Sequence, residues 1–341
     1  MLKFNKILIA MFIITLMMFV LVTGCGQNSA PKTEDNQQQS EEQANEANVS
    51  YELKWGTAAA GGAWPIVGNA MLEDIKLENP GITGSCLPGS STNNIMGLKE
   101  GQYNIAFISS DVTLDAWEGT GDFEKTGKIQ NVRLLGTNMP FTTHIVVRAN
   151  SDIKDIGDLK GKRVSPGAKG ASNDTQLPRL LSLYGLSYDD MKIQYLSFTD
   201  AGQALIDGHL DCLAFPTVPP PFAAVINAAS QRDVRLLSLP EDKIAELCEY
   251  PGVYPYTMPG GIYEGVDYDV EGVCTITNIA VREDMPDEVV YKITKTLTEN
   301  NERYKSISAA WKNVELEDLV KDLGIPYHPG AIKYYKEKGL M

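Results

Sequence analysis

The stretch Tyr51-Glu52-Leu53-Lys54-Trp55-Gly56-Thr57-Ala58-Ala59-Ala60-Gly61-Gly62-Ala63-Trp64-Pro65 decides how the chain reads. Its first residues alternate apolar and polar, the pattern of a half-buried strand. Small residues follow, and then Pro65, at home in a first helical turn, opens a segment in which Ile66, Val67, Ala70, Met71 and Ile75 share one face. The order is strand, loop, helix. In such a turn small residues let a ligand approach the backbone, and the free N–H groups at the helix start favour an anion. A small carboxylate is expected here; a tight turn with no ligand is the competing reading.

The pattern recurs downstream. Ile82 to Cys86 reads as a strand ending in Leu87-Pro88-Gly89-Ser90-Ser91-Thr92-Asn93-Asn94, and Asn104 to Ile108 as a strand delivering Ser109, Ser110 and Asp111 to a helix start, where Ser and Asp are also good caps. In an open α/β sheet such strand ends meet at one edge, where ligands bind. Val132–Asn138 and His144–Arg148 read as two strands separated by Met139-Pro140-Phe141-Thr142-Thr143. Ser151 to Val164 then reads as a crossing into a second lobe, which restarts with a strand at Arg163-Val164, a loop from Ser165 to Asp174 and a helix from about Thr175. A short pseudo-repeat supports two lobes: Leu98-Lys99-Glu100-Gly101-Gln102-Tyr103-Asn104 and Leu205-Ile206-Asp207-Gly208-His209-Leu210-Asp211 each precede an apolar strand and a polar loop. The second of these strands is Cys212 to Phe215, followed by a loop from Pro216 to Pro221. Gly272 to Arg282 reads as the return to the first lobe, and the remainder as helices, the first over Asp287 to Lys305. The expected lobes are 51–145 with 272–341, and 146–271.

The N-terminus carries Lys3 and Lys6, an apolar run from Ile7 to Val22, and Leu21-Val22-Thr23-Gly24-Cys25. That is a secretory signal over 1–24, its end similar to a bacterial lipobox whose cleavage leaves lipid on Cys25; an uncleaved anchor helix is the alternative. Residues 25–50 are polar and too poor in apolar side chains to fold, so they are expected to tether a domain near a membrane, outside the cytoplasm. The net charge of −14 argues against a nucleic-acid partner. Of five cysteines, Cys86, Cys212, Cys248 and Cys274 are widely spaced with no paired motif, so no metal site is expected. Three of them, Cys86, Cys212 and Cys274, lie in apolar runs and read as small buried hydrophobes, and a disulfide of unspecified connectivity stays open.

Several motifs coincide in one further pattern: Gly56-Thr57 with Gly61-Gly62, Asp158-Leu159-Lys160-Gly161-Lys162-Arg163-Val164, Leu196-Ser197-Phe198, Arg235-Leu236-Leu237 and His328-Pro329-Gly330-Ala331-Ile332-Lys333-Tyr334-Tyr335. With them the chain resembles the solute receptors of TRAP (tripartite ATP-independent periplasmic) transporters, of the TAXI type, over essentially all of residues 51–341. The resemblance implies a two-lobed α/β fold of the type II periplasmic-binding-protein kind, a ligand in the cleft, and a permease driven by an ion gradient. It also implies glutamate, glutamine or a related dicarboxylate such as 2-oxoglutarate as ligand. The chain departs from that pattern where hydroxyl donors are expected, at Ala58, Ala59, Ala60, Ala63, Trp64 and Pro65, and at Gly170-Ala171-Ser172-Asn173-Asp174.

The candidate ligand-binding residues are therefore Ala60, Gly61 and Gly62 through their backbone, Trp64 as cleft wall or core, and the hydroxyl loops Ser90, Ser91, Thr92 and Ser109, Ser110, Asp111. Thr142, Ser172, Asn173, Asp174, Thr175 and Thr217 join them from the crossing and the second lobe, with Phe141, Phe215 and Tyr256 as apolar wall. Arg148, Arg163, Arg179 and Arg282 lie near cleft edges but read as solvated or salt-bridged surface residues, and His144 as structural. No nucleophile, base and orienter sit together, so no catalytic residue or cofactor is expected. The leading function is a membrane-tethered receptor that hands a small anionic or zwitterionic solute to a TRAP permease. A ligand sensor with a signalling partner and an ABC-type binding protein are the alternatives.

Overall fold

Ten strands join into one mixed sheet in the order β2-β1-β3-β10-β4-β7-β5-β6, with β8 on β4 and β9 on β10. The computed structural model describes residues 50–58, 62–169 and 172–341, without the side chains of Ser172 and Thr175. The signal, lipid and tether expectations over 1–50 therefore lie, but for Ser50, outside the described residues. The strands are β1 (Tyr51–Gly56), β2 (Ile82–Leu87), β3 (Ile105–Ser109), β4 (Val132–Arg148), β5 (Arg163–Ser165), β6 (Lys192–Ile193), β7 (Cys212–Val218), β8 (Val234–Leu236), β9 (Val253–Met258) and β10 (Val270–Arg282).

The strand and the helix of the opening stretch form where its pattern predicts, but Ile66, expected on the apolar face of the helix, is exposed. The alternation in β1 buries Leu53 and Trp55, and helix α1 (Ala63–Glu78) buries Trp64, Val67, Met71 and Ile75 in the same cluster. Helix α1 carries the chain back so that β2 lies parallel to β1, as parallel pairing requires. Helices α2 (Ser91–Glu100) and α3 (Ser110–Glu118) likewise follow β2 and β3, and β3 pairs parallel to β1. Beyond β5, α4 (Ser172–Ser182) leads to β6, α5 (Phe198–Ile206) to β7, α6 (Ala223–Gln231) to β8, and α7 (Glu241–Cys248) to β9.

Two long strands run through both halves of the sheet. β4 pairs with β10 from Val132 to Thr142 and with β7 from Thr142 to Val147. β10 pairs with β9 at its start and with β3 at its end. Residues 139–143 were expected to be a loop; they continue β4, with Pro140 opposite Ile276 and Thr142 opposite Cys274. The reason is burial. Asn138, Thr142 and Thr143 are polar because they face a packed crossing, where the Thr143 hydroxyl donates to the Val273 carbonyl at 3.2 Å and the Asn138 side chain accepts from the Met139 N–H at 2.8 Å. β7 also runs on to Val218, through the segment expected as a loop.

The C-terminal helices α8 (Asp287–Glu299), α9 (Asn301–Ile307) and α10 (Pro329–Glu337) cover the first half, where Tyr334 and Tyr335 enter the cluster of Trp55. The single helix expected over Asp287 to Lys305 breaks at Asn300, whose side chain donates to Glu78 at 2.7 Å.

Candidate ligand-binding site

The loops that follow β1, β2 and β3 are tied to one another. Asn94 is fully buried, and its amide donates to the carbonyls of Thr57 and Phe107, each at 2.8 Å. A Cβ on Gly89 would fall 2.0 Å from the Asn94 side-chain oxygen, so glycine there makes room for the amide. Ser91 and Ser109 bond to each other through their hydroxyls at 3.1 Å, Ser90 caps α2 by accepting from the Asn93 N–H, and Thr92 is half-buried. Gly62 caps α1 through its backbone; Ala60 and Gly61 lie outside the described residues. Trp64 is core: its indole N–H donates to Thr277 at 3.2 Å and its ring packs between Phe107 and Phe141, with centroids 5.8 and 5.6 Å away.

The start of α3 meets the opposite half. The Ser110 hydroxyl donates to the Gly252 carbonyl and accepts from the Ile276 N–H at 2.9 Å. Gly252 has φ +76°, and a Cβ there would fall 2.5 Å from the Asp111 nitrogen. Asp111 is buried; one carboxylate oxygen accepts from the Gln176 amide and faces Arg179 Nη1 at 3.9 Å. Arg179 also faces Asp115 at 3.8 Å, and its guanidinium lies 4.2 Å over the Tyr250 ring. Gln176 and Arg179 sit one turn apart on α4, so one helix face presents an amide and a guanidinium together.

Beside them is a small cavity of about 30 Å³, lined by Thr143, Gln176, Arg179, Thr217, Thr275 and Cys274 among others. Its apolar side is made by Leu180, Pro216, Leu247, Val253 and Val273. Among the described residues, Arg179 Nη1 and the Thr275 hydroxyl are buried with no hydrogen-bond partner. A guanidinium with hydroxyls around it, backed by an apolar wall, suits an organic acid. The cavity is small, so a drug-sized or larger acid enters only as side chains move apart.

Of the other expected residues, Asn173 accepts from the backbone N–H and the hydroxyl of Thr217, at 2.8 and 3.2 Å, fixing the head of α4 to the end of β7. Asp174 accepts from the Tyr188 hydroxyl at 2.9 Å. Ser172 and Thr175 stand in the first turn of α4. Phe215 is buried among Phe198 and Phe222, and Tyr256 is half-buried against that cluster. Thr142 bonds His144, which is fully buried and held by Tyr263 at 2.7 Å. Arg163 and Arg148 engage Asp211 at 2.6 and 3.6 Å, and Arg282 engages Asp284 at 2.6 Å. Arg179 is thus the arginine at the cavity. Sequence reading missed Thr143, Gln176 and Thr275, although Gln176 and Arg179 at helical spacing after a small-residue loop were a usable signal. Among the described residues no group of three or more His, Cys, Asp or Glu is placed to hold a metal, and no helix is long and apolar enough to cross a membrane.

The profile of the NMT1-like family matches residues 55–339. The chain belongs to the NMT1-like family. This family member is 34% identical over 119 residues to the putative aliphatic sulfonates-binding protein of Escherichia coli (strain K12), a match covering 35% of each chain. It therefore spans about a third of the length of that curated relative. It is also similar to a putative sulfonate ABC transporter periplasmic sulfonate-binding protein from Methylobacillus flagellatus KT, at 17% identity and TM-score 0.43, over 86% of this chain and 89% of that one. A solved structure from Bordetella bronchiseptica RB50 superposes with TM-score 0.50 at 11% identity, over 84% of this chain and 98% of that one. The fold is α/β, with one mixed sheet. Both relatives with a named role are named as binding proteins.

Proposed function

We propose that this NMT1-like protein is an extracytoplasmic solute-binding protein that captures a small organic acid, a sulfonate or a carboxylate that includes amino acids, for an ABC-type importer. One observation carries the ligand reading: Arg179 Nη1 and the Thr275 hydroxyl are buried without a hydrogen-bond partner on one cavity beside the paired strands β4 and β10. Burying such donors without an acceptor is costly, and an acid group supplies one. The ABC assignment draws on the relative whose name gives a transporter. The TAXI-type TRAP reading draws on sequence motifs alone. The expected lobes, 51–145 with 272–341 and 146–271, would close around the crossing of β4 and β10, and lipid on Cys25 would hold the protein at the membrane.

Thermal unfolding with ethanesulfonate, taurine, L-glutamate and 2-oxoglutarate tests the ligand reading. A binder at a hundred times its Kd adds about 2.7 kcal/mol, and Arg179→Met removes the shift; the variant also melts lower without ligand, because buried Asp111 loses the guanidinium that faces it. No shift with any acid, or an undiminished shift in Arg179→Met, contradicts it. Uptake into vesicles that needs ATP supports the ABC partner, and uptake driven by an ion gradient without ATP supports the TRAP partner.

A further inference from the structure

Two carboxylates share the one guanidinium at the cavity. Arg179 faces Asp111 at 3.9 Å and Asp115 at 3.8 Å, outside hydrogen-bond range of both, so neither acid is fully paired by it. Asp111 is 2% exposed at its side chain, and its second oxygen is buried without a partner among the described residues. Asp115 is 16% exposed, so solvent reaches it. Facing Asp115 are Arg179 from α4, Asp111 from its own helix, and Asp122 from the turn Gly121–Phe123, while Thr120 donates a hydroxyl at 2.9 Å. The cluster already carries an excess negative charge before any ligand arrives. A ligand acid at Arg179 adds another, beside carboxylates that are largely buried, where like charges repel more strongly than in open solvent.

We propose that this site takes its anion together with a proton: as the ligand's acid group reaches Arg179, the Asp115 carboxylate that shared the guanidinium becomes a carboxylic acid. The proton comes from the buffer and settles on an Asp115 oxygen, and no bond to the ligand forms. Asp115 is the group that titrates because it is the one solvent reaches, and burial already raises its pKa above the usual aspartate value. Asp111 keeps its hydrogen bond from the Gln176 amide. This inference rests on the ligand reading above, since it concerns the same cavity.

Isothermal titration separates the two. The tightest binder among ethanesulfonate, taurine, L-glutamate and 2-oxoglutarate is titrated into the full chain at pH 6.5 in buffers of different ionisation enthalpy. The acid groups of all four are ionised throughout pH 6 to 8, so a proton taken up belongs to the protein. The expected result is uptake of a fraction of a proton per ligand, with affinity falling up to about tenfold from pH 6 to pH 8. In Asp115→Asn the uptake disappears and the affinity is flat over that range. Binding with no proton exchange in the wild type overturns the proposal and leaves the ligand reading standing. Uptake that persists in Asp115→Asn overturns it as well. Should Asp115→Asn not fold, Asp115→Ser serves as the same test. No binding of any of the four acids overturns the ligand reading and the proposal with it.

Discussion

His144 shows how much of this site is set by single buried groups. The Phe222 N–H donates to the Tyr263 hydroxyl at 2.8 Å, so that hydroxyl's proton turns to His144 Nε2, and the ring's Nδ1–H is left to donate to the Thr142 carbonyl at 3.1 Å. The imidazole is neutral, and burial pushes its pKa down to about 4. In the unfolded chain it titrates near 6.5. Between those values the unfolded state holds a proton that the folded state does not, so stability falls as pH drops through that window and the loss stops growing below about 4. The stability advantage of the wild type over His144→Gln should shrink by roughly 3 kcal/mol from pH 7 to pH 4 in urea unfolding. An unchanged difference would show that the imidazole is not held neutral. His144 as a structural residue was legible in the sequence, and the arginines beside acids were too. Arg179 was legible only in part: its spacing from Gln176 on one helix was a signal, but its stacking on Tyr250 is a tertiary fact. The hydroxyls of Ser91 and Ser109 were over-read, because polar residues at strand ends serve loop-to-loop bonds as readily as ligand bonds.

At the scale of elements, the pseudo-repeat seen in the sequence has a physical basis. Gly101 and Gly208 both turn the chain with φ +76°. Three residues on, Asn104 accepts from the Lys54 N–H and Asp211 from the Arg163 N–H, each at 2.9 Å, so each clamps the neighbouring parallel strand. Arg282 and Arg148, at the ends of β10 and β4, donate to the carbonyls of Leu98 and Leu205 at 3.0 and 3.1 Å. The long β4 escaped sequence reading because Pro140 and two threonines look like a turn, whereas their burial against β10 is a tertiary fact. The contact of Gly252 with α3 lies on the same crossing. Gly252→Ala adds a Cβ into the Ser110–Asp111 backbone and strains a left-handed residue, so it should lower the melting temperature and weaken ligand affinity by about tenfold or more. Equal affinity in Gly252→Ala, read by titration, would show that this contact does not shape the site.

The described residues are organised on one sheet whose two halves share β4 and β10, with the cavity placed beside that shared pair. Its alternating strands and helices made the α/β class legible, since each local period agrees with the final fold. The transporter partner proposed above was not legible, because a docking surface carries no periodic signal. A net charge of −14 is no obstacle to binding an acid, given one arginine lining the cavity. The central claim, that Arg179 receives the acid group of a small solute, is tested most directly by native mass spectrometry of the full chain purified without denaturation. The wild type should carry a small organic acid that is released on unfolding, and Arg179→Met should carry little or none. A bound molecule lacking an acid group, or equal occupancy in both proteins, would contradict the account.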